Sequence, residues 1–105
     1  MILVVEENGM NRGLLVEIIA TYDPSLQVQE VLDVAGAEAA LLQDPQLIVV
    51  GFGTGFSQLY PLIKEKKYVV VSAIKREGPG IDGNFIMGED VVAELMAWLK
   101  QNLPK

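Results

Sequence analysis

The sequence contains no cysteine and no histidine among its 105 residues. Without cysteine, the chain can form no disulfide, no thiolate zinc site and no cysteine nucleophile. Without histidine, it lacks the most common general base and the most common transition-metal ligand. Any catalysis would therefore have to use carboxylates, hydroxyls, lysine or backbone groups.

Long hydrophobic runs and a surplus of positive charge are also missing. No uninterrupted apolar run reaches the roughly 18 residues that a membrane-spanning helix needs, and the apolar start, residues 1–5, has no basic flank. We therefore expect a soluble, cytoplasmic protein that does not enter a membrane. Eight Lys and Arg against 14 Asp and Glu give a net charge of −6, which argues against nucleic acid as a partner.

Apolar residues make up half of the sequence, which is enough to build a folded core. The length fits one compact domain over residues 1–105, and no linker, repeat or low-complexity segment divides it. We therefore expect a single domain without a cleft between two lobes.

Strand-like and helix-like runs alternate along this domain. Apolar runs predict strands at residues 2–5, 26–32, 47–50, 68–71 and 85–87. Apolar residues at helical spacing predict four helices, and Asp33, Ser57 and Asp90 are the predicted N-caps of the last three. In the last helix, the expected apolar face is formed by Val92, Leu95, Met96 and Leu99. Wholly apolar strands separated by amphipathic helices indicate a parallel, doubly wound α/β sheet of five strands.

Polar residues after the strands, and one aromatic residue in the last strand, form a recognisable pattern. Glu6 and Glu7 come directly after the first strand, Asn8, Asn11 and Arg12 begin the next helix, Ser72 follows the fourth strand, and Phe85 lies in the fifth. In these residues and in the order of its elements, the whole chain resembles the receiver domain of two-component response regulators. The resemblance implies a flavodoxin-like fold with strand order 2-1-3-4-5 and a role in signal transduction.

Phosphotransfer in that family uses an acidic pair that holds Mg²⁺, an acceptor Asp after the third strand, a Ser or Thr, and a Lys. The acidic pair, Glu6 and Glu7, and the hydroxyl residue, Ser72, are present here. However, Gly51 replaces the acceptor Asp, and Gly88 replaces the Lys. The resemblance therefore implies a pseudo-receiver that is not phosphorylated, is not an enzyme and needs no cofactor. For Glu6 and Glu7, two alternatives stay open, since they can bind a divalent cation or simply be solvated acids.

The segment between Ser72 and Gly88 is short and rich in Gly and Pro, so we expect the fourth helix of the family to be short or missing. That helix belongs to the surface that receivers remodel on phosphorylation. Its loss, together with the loss of the acceptor, implies a role in protein–protein interaction with a partner that the sequence does not identify, or with a second copy as a homodimer.

Loop 51–55 suggests an alternative function. Gly51, Gly53 and Gly55 follow a strand, and glycine-rich turns let backbone N–H groups approach phosphate. The alternative is thus a small phosphate- or nucleotide-binding module. The spacing matches neither the dinucleotide-binding motif nor the P-loop, and the simpler interpretation is a loop that fills the space left by a lost acidic site.

Charge and aromatic residues indicate where a protein partner would bind. Residues 64–76 contain five basic residues and one acid, whereas residues 1–63 contain one basic residue and eight acids. A basic patch on an acidic domain can attract an acidic partner, and Lys75 or Arg76 can also approach Glu6 and Glu7 to relieve their repulsion. The candidate interaction residues are Phe52, Lys75, Arg76, Phe85 and Trp98.

Overall fold

Strands and helices alternate along the chain in the structure, a computed structural model that describes residues 1–51, 53, 55–72, 82–88 and 90–103. The strands are β1 (Ile2–Val5), β2 (Val28–Val31), β3 (Leu47–Gly51), β4 (Tyr68–Ser72) and β5 (Gly83–Ile86). The helices are α1 (Gly9–Tyr22), α2 (Val34–Leu41), α3 (Phe56–Ile63) and α4 (Val91–Asn102). Over the described ranges, none of the helices has the length and apolar character needed to cross a membrane.

The five strands form one parallel sheet in the order β2-β1-β3-β4-β5. Strand β1 lies between β2 and β3, with Val5 beside Val31 on one side and beside Val50 on the other. This order confirms the predicted α/β, doubly wound, flavodoxin-like fold. The predicted shortening or loss of the fourth helix concerns the chain between β4 and β5, where residues 73–81 lie outside the described part of the structure.

The core is divided into two layers by the sheet, because successive residues of a strand point to opposite faces. Ile2, Val4 and Val49 are fully buried on the face covered by α1 and α4. Leu3, Ile48 and Val70 are fully buried on the face covered by α2 and α3. Each such side chain contributes roughly 1.5–3 kcal/mol by leaving water, which is an upper estimate for a real unfolded chain. The central strands are therefore apolar throughout because helices cover both of their faces.

Helix starts agree with the predicted caps in one of three cases. Asp33 caps α2, and its Oδ1 accepts a hydrogen bond of 2.8 Å from the backbone N–H of Gly36. The prediction for Ser57 was wrong, because α3 begins at Phe56 and Gly55 occupies the cap position. Asp90 does precede α4, but its side chain makes no capping bond. The backbone of Asp90 is helical. A side chain at the N-cap accepts a hydrogen bond from the first turn when its own backbone is extended, so Asp90 does not form this bond.

The buried face of α4 differs from the predicted face by one residue. Val91, Leu95 and Leu99 are fully buried, whereas Val92 is 43% exposed. The helix begins at Val91, and the spacing of four residues from there places Val91, Leu95 and Leu99 on one side. This side packs against the same core layer as α1, where the Tyr22 hydroxyl donates a hydrogen bond of 2.9 Å to the carbonyl oxygen of Leu103.

Helix α4 is held against β5 by the indole of Trp98. Its Nε1 donates a hydrogen bond of 3.3 Å to the carbonyl oxygen of Asp82, and the ammonium of Lys67 lies 5.6 Å from the ring centroid. The indole lies directly over Gly83, where an added Cβ would come within 2.9 Å of both Trp98 Nε1 and Val69 Cγ1. Gly83 is therefore required by close packing of the helix on the strand.

We expect Gly83→Ala to lower the free energy of unfolding by about 1–3 kcal/mol, because the added methyl group overpacks this contact. Gly88→Ala is the matched control, since no described atom lies within 4 Å of a Cβ built there. The control should stay within about 0.5 kcal/mol of the wild type. Urea unfolding of both variants measures the difference, and equal stabilities would contradict the packing argument.

Candidate functional site

The carboxyl ends of the parallel strands lie along one edge of the sheet, which we call the rim. Strands β1, β3 and β4 end there at Val5, Gly51 and Ser72. Parallel α/β sheets place their binding sites at this edge, outside the strand ends. A cleft of about 380 Å³ opens at the rim, and the polar residues that line it are Glu6, Glu7, Asn8, Asn11 and Ser72. We call it the rim cleft.

The carboxylate of Glu6 lies over Gly51, at the end of the neighbouring strand. A Cβ built on Gly51 would overlap Oε2 of Glu6. Any side chain at residue 51 would therefore displace the Glu6 carboxylate from its present position. The carboxylate occupies the volume in which a side chain from the end of β3 would otherwise lie. Glu6 is only 9% exposed in this position.

Hydrogen bonds from the start of α1 hold Glu6 in this position. The backbone N–H of Asn8 donates to Glu6 Oε1 at 3.3 Å, and the side chain of Asn11 also hydrogen-bonds the carboxylate. Nη1 of Arg12 donates to the carbonyl oxygen of Glu6 at 2.8 Å, while its Nε lies 3.4 Å from Oε1 of Glu30. Arg12 thus fixes the backbone at the end of β1 and links it to the edge strand β2.

Burial raises the pKa of the Glu6 carboxyl above its ordinary value of 4.5. The hydrogen bonds from Asn8 and Asn11 and the positive charge of Arg12 act in the opposite direction, while the charge of Glu7 raises the pKa further. Loss of water is the largest of these effects, so the net shift is upward. Glu6 therefore holds its proton to higher pH in the folded chain than in the unfolded one.

Glu7 lies against the second glycine of loop 51–55. Its Oε1 would lie 2.8 Å from a Cβ built on Gly53, so Gly53 leaves room for the Glu7 side chain as Gly51 does for Glu6. Two carboxylates thus lie against the segment that, in the alternative interpretation, would bind phosphate. Phosphate is an anion, so this arrangement disfavours a phosphate- or nucleotide-binding loop.

Ser72 and Gly88 complete the set of residues predicted at the rim. Ser72 is 5% exposed, lines the rim cleft with Glu6 and Glu7, and accepts a hydrogen bond of 2.9 Å at its carbonyl oxygen from the N–H of Met87. Gly88 is exposed just beyond β5. The structure therefore brings Glu6, Glu7, Gly51 and Ser72 together, and it places a residue without a side chain where the resemblance expects a lysine.

Metal binding was the other open alternative for Glu6 and Glu7. Within the part of the chain that the structure describes, no group of three or more acidic side chains lies close enough together to hold a metal ion. Mg²⁺ and Ca²⁺ are held by several oxygen ligands, of which carboxylates provide most of the charge. A cation at Glu6 and Glu7 would therefore take most of its ligands from water.

Of the predicted interaction residues, the structure describes Phe85 and Trp98, and both pack beside Gly83. Phe85 is 6% exposed and packs in the core with α1 and α4, so its side chain is not at the surface in this structure. Trp98 is half-buried and contacts Asp82, at the amino end of β5 and thus at the opposite edge of the sheet from the rim. Phe52, Lys75 and Arg76 lie outside the described residues, as does any approach of Lys75 or Arg76 to Glu6 and Glu7.

Two features of the site were missed by the sequence interpretation. One is the position of Glu6 over Gly51, and the signal for it was available, because parallel pairing of Val5 with Val50 places residue 6 beside residue 51. The other is Arg12, whose bond to the Glu6 carbonyl has no local sequence signature. Both follow from pairing between elements, which a single sequence shows only indirectly.

Comparisons with known proteins bear on the fold. No protein-family model and no curated protein matches the chain. The structure is similar to part of the crystal structure of the Francisella novicida lysine decarboxylase LdcF, with a TM-score of 0.61 and 13% sequence identity. The match covers 95% of this chain and 16% of the decarboxylase chain. At this identity the similarity shows a shared α/β fold.

We expect Glu6→Gln to change how stability depends on pH. The stability associated with protonated Glu6 is complete below pH 4.5 and is lost as the pH rises through the raised pKa of the folded state. Gln stays neutral and keeps the acceptor for the Asn8 N–H. The variant should therefore be more stable than the wild type at pH 7, and the difference should shrink towards pH 4.5.

Urea unfolding at a series of pH values measures this difference. Glu38→Gln is the matched control, because it removes the same charge from an exposed position on α2. Its stability should follow the wild-type curve. A Glu6→Gln curve that runs parallel to the wild type across the whole range would show that Glu6 is not buried as a charge.

Proposed function

We propose that the chain is a receiver-like signalling module that acts through protein–protein interaction and independently of phosphorylation. The observation that supports this most directly is the Glu6 carboxylate in the volume above Gly51. In the receiver family, that volume belongs to the side chain of the phosphoacceptor. Here it is filled from the neighbouring strand, so the site is closed where the acceptor would stand.

The chemistry of the rim supports the same proposal. Gly51 offers no carboxylate to accept a phosphoryl group, and Gly88 offers no ammonium to neutralise one. Glu6 is a poor substitute acceptor, because its carboxylate is buried and hydrogen-bonded to Asn8 and Asn11. Phosphoryl transfer depends on positioning and on neutralisation of charge, and none of the described residues that line the rim cleft is basic. We therefore propose a protein that is not an enzyme and needs no cofactor.

Exposed apolar side chains support a protein as the partner. Met10, Leu32 and Ile86 are 87%, 58% and 48% exposed. They lie in the first turn of α1, just after β2 and at the end of β5, so all three are at the rim. Single exposed apolar residues are ordinary, but several along one edge indicate a contact surface. The partner is a protein rather than nucleic acid, since the net charge is −6. We place the chain and its partner in the cytoplasm.

We expect no covalent phosphorylation when the full chain is incubated with acetyl phosphate and Mg²⁺. Intact-mass spectrometry should show no adduct of the mass of a phosphoryl group, because residue 51 has no carboxylate. A genuine receiver domain treated in parallel is the positive control for the donor. A stoichiometric, acid-labile phosphoryl adduct on this chain would contradict the proposal.

Partner capture tests the positive half of the proposal. A protein captured from the native extract by the immobilised chain should bind equally with and without acetyl phosphate, and with and without a metal chelator. Binding that requires the phosphodonor would overturn independence from phosphorylation. A rise in melting temperature with added ATP or inorganic phosphate would instead favour the alternative function at loop 51–55.

A further inference from the structure

A groove on the α2 and α3 side of the rim adjoins the rim cleft, with which it shares Glu6 and Glu7. It lies between the first turns of the two helices and has an outer part of about 300 Å³. Beneath it is an inner recess of about 40 Å³, which shares Glu7, Leu32 and Gly55 with the outer part. The recess has room for the end of one side chain. We call the two together the side groove.

The walls of the side groove are apolar and its inner end is acidic. Leu32, Val34 and Phe56 line the recess together with Glu6 and Glu7. Asp33 also lines it, but its Oδ1 accepts a hydrogen bond from the N–H of Gly36. Asp33 keeps its negative charge in that bond, and Glu6 and Glu7 supply the rest of the negative charge that lines the recess.

Neither of these carboxylates has a basic partner in the described part of the chain. The ion pair found there joins Arg12 to Glu30, and Arg12 bonds Glu6 at its backbone carbonyl oxygen rather than at its carboxylate. Glu6 has hydrogen bonds from Asn8 and Asn11 but no lysine or arginine within ion-pair distance among the described residues. A partner that covered the groove with apolar groups alone would remove water from Glu7, which has no basic partner among the described residues, and the remaining water from Glu6, which is unfavourable.

We propose that the side groove binds a segment of a partner protein that inserts a lysine or arginine side chain. This inference rests on the proposed function and names the chemistry of the partner. The methylene groups of such a side chain can contact Leu32, Val34 and Phe56, while its charged end reaches Glu6 and Glu7. Arginine fits best, because its planar guanidinium can bind two carboxylates at once.

The helix starts at the groove do not favour an anion instead. Helices α2 and α3 both begin there, and helix N-termini attract negative charge. The chain's own carboxylates already lie at these helix starts. Asp33 caps α2, and Glu6 and Glu7 lie beside the start of α3. An added anion would meet two carboxylates, whereas an added cation would neutralise them.

The test is a titration of the full ¹⁵N-labelled chain with N-acetyl-arginine amide, followed by amide chemical shifts. Saturable shifts should appear at Glu7, Val34, Gly53 and Gly55, with a dissociation constant in roughly the millimolar range expected for one side chain. N-acetyl-citrulline amide is the neutral probe of the same shape and should give no saturable shifts. Glu7→Gln should weaken the binding of the arginine probe about fivefold.

Glu7 is the residue to change because its side chain is exposed, so the variant should fold. Glu38→Gln, on the exposed surface of α2, is the control for general charge effects and should leave binding unchanged. Equal shifts with the citrulline probe, no shifts with the arginine probe, or equal losses in both variants would overturn the proposal. If the same amides shift with protein concentration alone, the occupant is a second copy, and the proposal of a separate partner is wrong.

The phosphodonor experiment separates this inference from the proposed function. If the chain takes no phosphoryl group and does not bind the arginine probe, the proposed function stands. The proposal that the side groove binds a basic side chain is then wrong. A chain that is phosphorylated loses the proposed function whatever the titration shows.

Discussion

The structure depends on the burial of three strands on both of their faces. Every residue of β1 and β4 is buried, and so are the first four of β3. Such strands can only lie in the middle of a sheet with helices on each side, which places β2 and β5 at the edges. Helices can reach both faces only if they connect parallel strands. The carboxyl ends of all the strands therefore lie at the same end of the sheet. The rim is therefore a consequence of how the core is built.

At this edge, a missing side chain and a buried charge explain each other. Gly51 leaves a space beside the end of β1, and Glu6 fills it. Filling the space removes the carboxylate from most of its water, which raises the pKa of Glu6. The backbone at this point is also held firmly, since Arg12 bonds the Glu6 carbonyl and Asn8 caps α1 through its bond to the Asn11 N–H. The described residues of this site are acidic, and negative charge disfavours the binding of phosphate.

Much of the fold could be predicted from the sequence because it depends on strong, local patterns. The apolar runs of β1, β3 and β4 are unmistakable, and their burial on both faces leads to the parallel sheet. Details that depend on a single residue were less reliable. Ser57 has the chemistry of a cap, yet α3 begins one residue before it. In the buried face of α4, Leu95 and Leu99 were predicted correctly, but exposed Val92 was predicted in place of buried Val91.

The site could be predicted only in part, for a physical reason. The residues at the strand ends follow from the order of the elements, and Glu6, Glu7, Gly51 and Ser72 do meet at the rim. The direction taken by a side chain depends on the space left by its neighbours, and a sequence pattern does not contain that space. Phe85 illustrates the same point, since it lies on an edge strand but points into the layer covered by α1 and α4.

The packing of Trp98 has a spectroscopic consequence. It is the single tryptophan of the chain, it is half-buried beneath the ammonium of Lys67, and its N–H is bonded to the backbone at Asp82. Its fluorescence therefore reports on one contact, between the last helix and the edge strand, at the end of the sheet remote from Glu6. Unfolding would change the emission by exposing the indole to water, whereas occupancy of the rim would leave it unchanged. The chain thus contains an optical signal for its own integrity that does not respond to binding at the rim.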